Sequence, residues 1–247
     1  MLPLKGQDVN THSLSRKGNS CKSLFDGKTF SGWRSYYTTD KPAKGWVVEN
    51  GCIKNLKGNG RPRGGGGDLM TDDVFYDFEF SFEWNIEAGG NSGVYYLFQE
   101  RQKNPGFSMY RGDDGTSPVG FEYQLVDDAR HDDVVKNGPI RSTGALYSLI
   151  PPSNTKKVNP AGTFNHSSII VKGKHIEHWL NGEKILAYDL ESPILLQALA
   201  QSKFKHAQVI GKKAPTRILL QDHGNEIRFR NLKIRILSPS CVSEKEN

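Results

Sequence analysis

Cysteine is scarce in this chain: three among 247 residues, at positions 21, 52 and 241. That is too few for the disulfide framework of a small secreted scaffold, and the spacing matches no zinc motif. One bridge between Cys21 and Cys241 is allowed by their places near the two ends, and by nothing more. Long apolar runs are missing too, since no stretch approaches the ~18 residues of a membrane-spanning helix. The first twenty residues lack the apolar core of a signal peptide. The chain therefore reads either as cytoplasmic or as beginning after a removed leader. HExxH, CxxC, Rossmann and P-loop patterns are absent, and no Ser/His/Asp arrangement stands out. The four-glycine run Gly64–Gly67 is followed by Asp68 and by no helix. It reads as a loop entering a strand at Leu69 rather than as a phosphate cradle.

What is present points to a β protein. Hydrophobic residues make up 36% of the chain, enough with this length to bury a core. Gly (26) and Pro (12) are over-represented, which favours many turns and short strands. The net charge is +6. Its densest basic stretch, Lys203, Lys205, Lys212, Lys213 and Arg217, has only Phe204 interleaved. Without further aromatics that stretch reads as solvated lysines, and nucleic acid is not expected as a partner.

Alternation is clearest between Val74 and Ile86. Phe78, Phe80, Phe82, Trp84 and Ile86 alternate with polar residues, the period of a strand with one buried face. Gly89-Gly90-Asn91 reads as a turn into a second strand at Ser92–Gln99, and residues 120–126 alternate again. Asn181-Gly182 between Lys174–Leu180 and Lys184–Tyr188 is a hairpin signal, because a type I′ turn needs positive φ at both central residues. A last strand pair is expected at Arg217–Gln221 and Glu226–Ile236. Arg228 and Arg230 share a face that apolar Leu232, Ile234 and Ile236 then continue, which predicts a bulge or a face passing from cleft to core. One helix is expected, capped by Ser192, opened by Pro193 and running from Ile194 to Lys203. The organisation is a loose arm at 1–21, one two-sheet β domain at 22–238 and a tail at 239–247.

Few side chains invite chemistry. GFEYQLVDD (Gly120–Asp128) sets Glu122 and Gln124 on one strand face, with Asp127 and Asp128 past its end. A carboxylate beside an amide suits sugar hydroxyls and proton transfer, although a solvated strand face has the same pattern. QDHGNE (Gln221–Glu226) puts His223 at a turn between two β segments. His178 alternates with Ile176 and Leu180, so it reads equally as a hydrogen-bonded core histidine. A divalent metal ion held by residues from distant strands is allowed, but spacing demonstrates none.

Taken together these segments resemble the 3-keto-disaccharide hydrolase family. The matching pieces are SLFDGKTFSGW (Ser23–Trp33), GGDLMT (Gly66–Thr71), DFEFSFEW (Asp77–Trp84), GGNSGVYY (Gly89–Tyr96) and GFEYQLVDD. TGALY (Thr143–Tyr147), PAGTFN (Pro160–Asn165), EHWLNGEK (Glu177–Lys184), SKF (Ser202–Phe204) and LLQDHGNEIRFRNLKI (Leu219–Ile234) follow in order. Two positions depart from the family's pattern: Leu97 stands where Arg is frequent, and Phe164 where Trp is usual. The resemblance implies an all-β, concanavalin A-like jelly-roll sandwich of the lectin/glucanase type, a periplasmic or secreted place, and activity on 3-keto glycosides already oxidised at C3 by a partner dehydrogenase. A ketone at C3 acidifies the C2 proton, so a base can start a β-elimination that expels the group on C1, and water can add back. That chemistry needs a base, an oxyanion stabiliser and a donor to the leaving group. The expected catalytic set is Glu122 or His223 as base, His178 or Arg230 as oxyanion stabiliser and Asp127 as positioning group. Gln124, Asn91, Tyr147, Trp179, Gln221 and Arg230 are expected to bind the sugar. A non-catalytic carbohydrate-binding module is the alternative. An ordinary two-carboxylate glycosidase fits less well, because only Glu122 has a convincing strand-face position.

Overall fold

The computed structural model describes residues 21–36, 44–58, 67–100, 119–205 and 211–237. The arm before residue 21, the tail from 238 with Cys241, and Gly64 to Gly66 lie outside the described residues. Strands β1 (Cys21–Ser23), β2 (Trp33–Ser35), β3 (Trp46–Glu49), β4 (Cys52–Asn55) and β5 (Leu69–Thr71) are short. Longer ones follow: β6 (Phe78–Ile86), β7 (Asn91–Gln99), β8 (Val119–Val126), β9 (Asn165–Lys172), β10 (His175–Leu180) and β11 (Glu183–Asp189). β12 (Leu219–Leu220) and β13 (Ile227–Ile236) close the order.

Two sheets form, and the pairings between these strands are antiparallel. The larger runs β11-β10-β9-β6-β13-β4-β3 with β1 beside β13, and the smaller runs β2-β5-β12-β7-β8. Neighbours far apart in sequence, such as β6 beside β13 and β12 between β5 and β7, give the jelly-roll topology.

The core lies between the sheets. Phe78, Phe80, Phe82 and Trp84 all point inward, none more than 1% exposed, so the alternation of β6 holds in full. Phe80 and Phe82 stack at 5.0 Å, and Phe82 meets Tyr123 of the other sheet edge-on at 6.0 Å. Asn181 and Gly182 both have positive φ, 48° and 85°, as the β10–β11 hairpin requires. The phase change in β13 is a bulge: register shifts between Arg230 and Lys233, and Asn231 sits at φ 53°. The strand bonds β4 before this point and β1 after it. Leu97, at φ 46° beside a second register shift, packs into the core.

Among the described residues two α-helices form where one was expected. α2 (Pro193–Gln201) is the expected one, capped by the Ser192 hydroxyl accepting from the Leu195 N–H. α1 (Asp132–Asn137) is the addition, followed by a 3-10 turn at Gly138–Arg141. At six residues with none buried, α1 carries no apolar period for a sequence to display. Two smaller differences occur at strand ends. Cys21 already pairs with Arg235, and the Arg217–Gln221 strand contracts to Leu219–Leu220.

Candidate active site on the five-stranded sheet

Phe121, Tyr123 and Leu125 of β8 belong to the core, so the alternate residues Glu122 and Gln124 face away from it. Register then sets their neighbours. Tyr95 of β7 lies directly across from Glu122, and Gly93 across from Gln124. On the other side of β7, the Gln221 N–H bonds the Gly93 carbonyl just past β12. Three strands therefore converge on one patch of the outer face.

The patch is dense with hydrogen bonds. Gln124 Nε2 donates to Asn91 Oδ1 at 2.9 Å, which turns the Asn91 amide N–H₂ toward His223 Nε2 at 3.5 Å. Gln221 Nε2 donates to the Tyr95 hydroxyl at 3.2 Å, and Tyr95 faces Glu122 directly across the strand pair. Gln124 Oε1, Gln221 Oε1 and His223 Nδ1 are buried without a partner. A buried amide oxygen left unpaired is costly unless something supplies a donor.

The rim comes from the chain after β8. The Tyr147 N–H bonds the Glu122 carbonyl, extending the sheet edge and setting the Tyr147 ring over the patch. Asp128 holds this return, accepting from the Thr143 N–H at 2.7 Å and pairing with Lys156 at 2.7 Å. Arg141 and Asp133 both bond the Tyr147 hydroxyl. The Lys203 ammonium lies 4.7 Å from the Tyr147 ring centre. Although Lys203 keeps much of its surface open to solvent, the protein crowding its ammonium lowers its pKa, and Glu122 opposes that effect. His131 caps α1 through Nδ1, accepting from the Asp133 N–H at 3.1 Å, and its ring centre is 6.3 Å from that of His223.

Burial raises the Glu122 pKa to about 7, against the Tyr95 hydrogen bond and the positive charges of Lys203 and Arg141, which lower it; Asp68 adds to the rise. A carboxyl poised there can take or give a proton at neutral pH. Burial and the neighbouring His131 lower the pKa of His223, which favours its neutral ring.

Of the residues expected at the site, Glu122, Gln124, Asn91, Tyr147, Gln221 and His223 share this face. Four others do not. His178 points between the sheets, with Nδ1 donating to the Gly144 carbonyl at 2.9 Å and Nε2 paired with the Tyr96 hydroxyl at 2.6 Å. Trp179, one residue on in β10, faces the far side of the larger sheet and donates to Glu177. Arg230 is on that far side as well, paired with Glu83 and stacked 3.8 Å from the Phe164 ring centre. Alternation had grouped these residues correctly by strand face, but their strands belong to the sheet that does not carry the patch. Asp127 braces the β6–β7 turn: its carboxylate accepts from Gly89 and Ala129 N–H groups and pairs with Arg130. Burial alone would raise its pKa, but these donors hold it below the usual range.

Sequence reading missed Tyr95, Lys203, Arg141 and His131. Tyr95 was legible as the odd phase of Val94-Tyr95-Tyr96, and His131 as a cap before Asp132-Asp133. Lys203 and Arg141 come from irregular segments with no period to expose them. Among the described residues, no three His, Cys, Asp or Glu side chains group closely enough to hold a metal ion. No described helix is long and apolar enough to cross a membrane.

A jelly roll that gathers a buried carboxyl with amides, phenols and imidazoles on one outer face is a β-sandwich with a polar candidate site. The comparisons narrow that class. A family model described as the 3-keto-alpha-glucoside-1,2-lyase-like domain matches residues 20–235, and the chain belongs to that family. It is 34% identical over 255 residues to a 3-keto-disaccharide hydrolase of Bacteroides thetaiotaomicron, covering 95% of this chain and 84% of that protein. A Parabacteroides distasonis crystal structure assigned as a glycosyl hydrolase superposes with TM-score 0.72 at 32% identity, over 88% of this chain and 94% of that one. A second from the same organism, at 24% identity and TM-score 0.61 over 89% and 100% of the two chains, shares the fold.

Proposed function

We propose that this protein cleaves glycosides already oxidised to a ketone at C3, with Glu122 as the base that removes the C2 proton. The observation that carries this reading is a carboxyl buried on the open sheet face with its pKa near 7. Such a group is half ionised at neutral pH, and its ionised half accepts a proton in a site of low polarity. The C2–H bond breaks and its electrons pass into an enolate on the C3 oxygen. The enolate collapses, C1=C2 forms, and the C1–O bond breaks with the aglycone leaving as the alcohol. Addition of water across C1=C2 completes a net hydrolysis.

Two further needs are met nearby. The positive charges of Lys203 and Arg141 act on Glu122 and oppose negative charge developing beside it. Glu122, a carboxylic acid once it has taken the C2 proton, can return that proton to the departing oxygen. The unpaired oxygens of Gln124 and Gln221 take sugar hydroxyls. The family's 3-keto substrate and the name of the Bacteroides relative support the same reading. The protein would then work downstream of a dehydrogenase that oxidises the sugar, in the periplasm or outside the cell.

The test is aglycone release from a 3-keto glucoside and from its parent glucoside, the keto sugar also deuterated at C2. Release from the keto sugar alone, slowed by deuterium or accompanied by exchange of the label with water, is expected. Release from the parent would make this an ordinary glycosidase, and binding without release a carbohydrate-binding module. Either result ends the proposal.

A further inference from the structure

The proposed base does not stand alone, and its support is built into the sheet. A Cβ added to Gly93 would lie 2.1 Å from Glu122 Oε1 and 2.8 Å from its Cγ and Cδ. The carboxylate therefore leans diagonally from β8 across β7, into a hollow that only a residue without a side chain leaves open. Tyr95 lies directly across from Glu122 on the same face, and its phenol favours the charged form of the carboxylate. A phenol has one proton to give. Gln221 Nε2 donates to the Tyr95 oxygen at 3.2 Å, so the phenol is already an acceptor there and its own proton is directed at Glu122.

Building on that reading of Glu122, we infer that Tyr95 is a positioning residue: its hydroxyl, oriented by Gln221, aims the Glu122 carboxylate over Gly93 and stabilises its ionised form. Removing the hydroxyl takes away a hydrogen bond made to the charged state, which makes the carboxyl harder to ionise. Other groups facing Glu122 are Lys203 and Arg141, which favour its charge, and Asp68, which opposes it. The Tyr147 phenol also lies within its electrostatic reach. None of them is altered by a change at Tyr95. The role also explains why a phenol half-buried against Tyr36, Met70, Phe98 and Leu219 has its hydroxyl turned to the site instead of to solvent.

Tyr95→Phe is the test, read by the pH profile of kcat and by the titration of Glu122 itself. The acid limb of kcat should move upward by roughly one pH unit, lowering kcat about five- to ten-fold near neutrality. KM should stay within about two-fold, and kcat should recover in alkali, which a loss of folded structure would not produce. In protein labelled with ¹³C at glutamate carboxyls, the Glu122 signal, assigned by its loss in Glu122→Gln, should titrate higher by the same shift. Gln221→Leu should move both readings the same way by less, and it stands in if Tyr95→Phe does not fold. An unchanged acid limb and an unchanged Glu122 titration in either folded variant would overturn the inference. If the wild type does not release aglycone from the 3-keto glucoside, the catalytic reading fails by itself. The carboxyl titration still decides whether Tyr95 holds Glu122.

Discussion

Of the buried polar clusters among the described residues, one lies between the sheets and another on the outer face of the smaller sheet. Between the sheets, His178 Nδ1 donates to the Gly144 carbonyl, so its Nε2 accepts from Tyr96, whose oxygen in turn accepts from Tyr188 at 2.6 Å. Tyr123 joins Ser167 at 3.0 Å, and Ser167 accepts from the Trp84 indole at 2.9 Å. Every donor in this chain has its acceptor. On the outer face, Gln124, Gln221 and His223 each keep one buried atom without a partner. A polar group satisfied within the chain fixes structure, whereas one left unsatisfied keeps a hydrogen bond to give, which on the proposed reading goes to the sugar. The same residue type, histidine, occupies both places, and pairing rather than identity separates the two uses.

Substitution should break this contrast in opposite ways. The largest expected effect is on turnover. Glu122→Gln keeps shape and hydrogen bonding but cannot accept the C2 proton, so kcat should fall ~10²–10⁴-fold with little change in KM. A variant that keeps wild-type turnover would remove Glu122 from the chemistry, and His223→Ala would then be the variant to measure. His178→Leu should do the reverse. It leaves one phenolic proton of the Tyr96–Tyr188 pair without an acceptor and orphans the Gly144 carbonyl, at about 1–3 kcal/mol each, so stability should drop by about 2–6 kcal/mol. The protein that remains folded should turn over normally, and loss of turnover without loss of stability would bring His178 into the site after all.

The two clusters should also pull stability in opposite directions with pH. Burial lowers the His178 pKa from 6.5 to about 4, so between those values the unfolded chain binds more protons. Its contribution is complete above pH 6.5 and is lost as pH falls toward 4. Glu122 is raised from 4.5 to about 7, so there the folded chain binds more protons and stability falls as pH rises through that window. A unit of such a shift is worth about 1.4 kcal/mol, so the two slopes largely offset each other in the wild type. Glu122→Gln should remove one slope and leave the other. Its advantage in denaturant midpoint over the wild type should widen from pH 4.5 to 7, and a constant gap would mean that Glu122 titrates normally. The smallest effects belong to the far face. Trp179→Ala and Arg230→Ala should leave kcat/KM within about two-fold, as befits surface positions away from the site. A larger loss on a 3-keto substrate would show that sugar reaches both faces.

Much of this was legible because a strand repeats every two residues. That period alone grouped Phe78, Phe80, Phe82 and Trp84 as one buried face, and Glu122 with Gln124 as another. Asn181-Gly182 declared its hairpin through the only turn geometry such a pair favours, and the slip from Arg228 and Arg230 to Leu232 and Ile234 announced the bulge at Asn231. These are local facts, set by backbone sterics and side-chain size. What the period cannot say is which layer a face meets. His178 and Glu122 both sit in alternating strands, yet one faces the opposite sheet and the other faces away from it, because β10 and β8 lie in different sheets. Trp179 and Arg230 were lost to the far side for the same reason. Tyr95 and Arg141 met Glu122 only through the β7–β8 register and the return of the chain after β8, Lys203 only through the segment after α2, and His131 came beside His223. Pairing between distant strands is decided by the packing of the whole sandwich, so membership of the site belonged to tertiary structure, while the faces themselves were already written in the sequence.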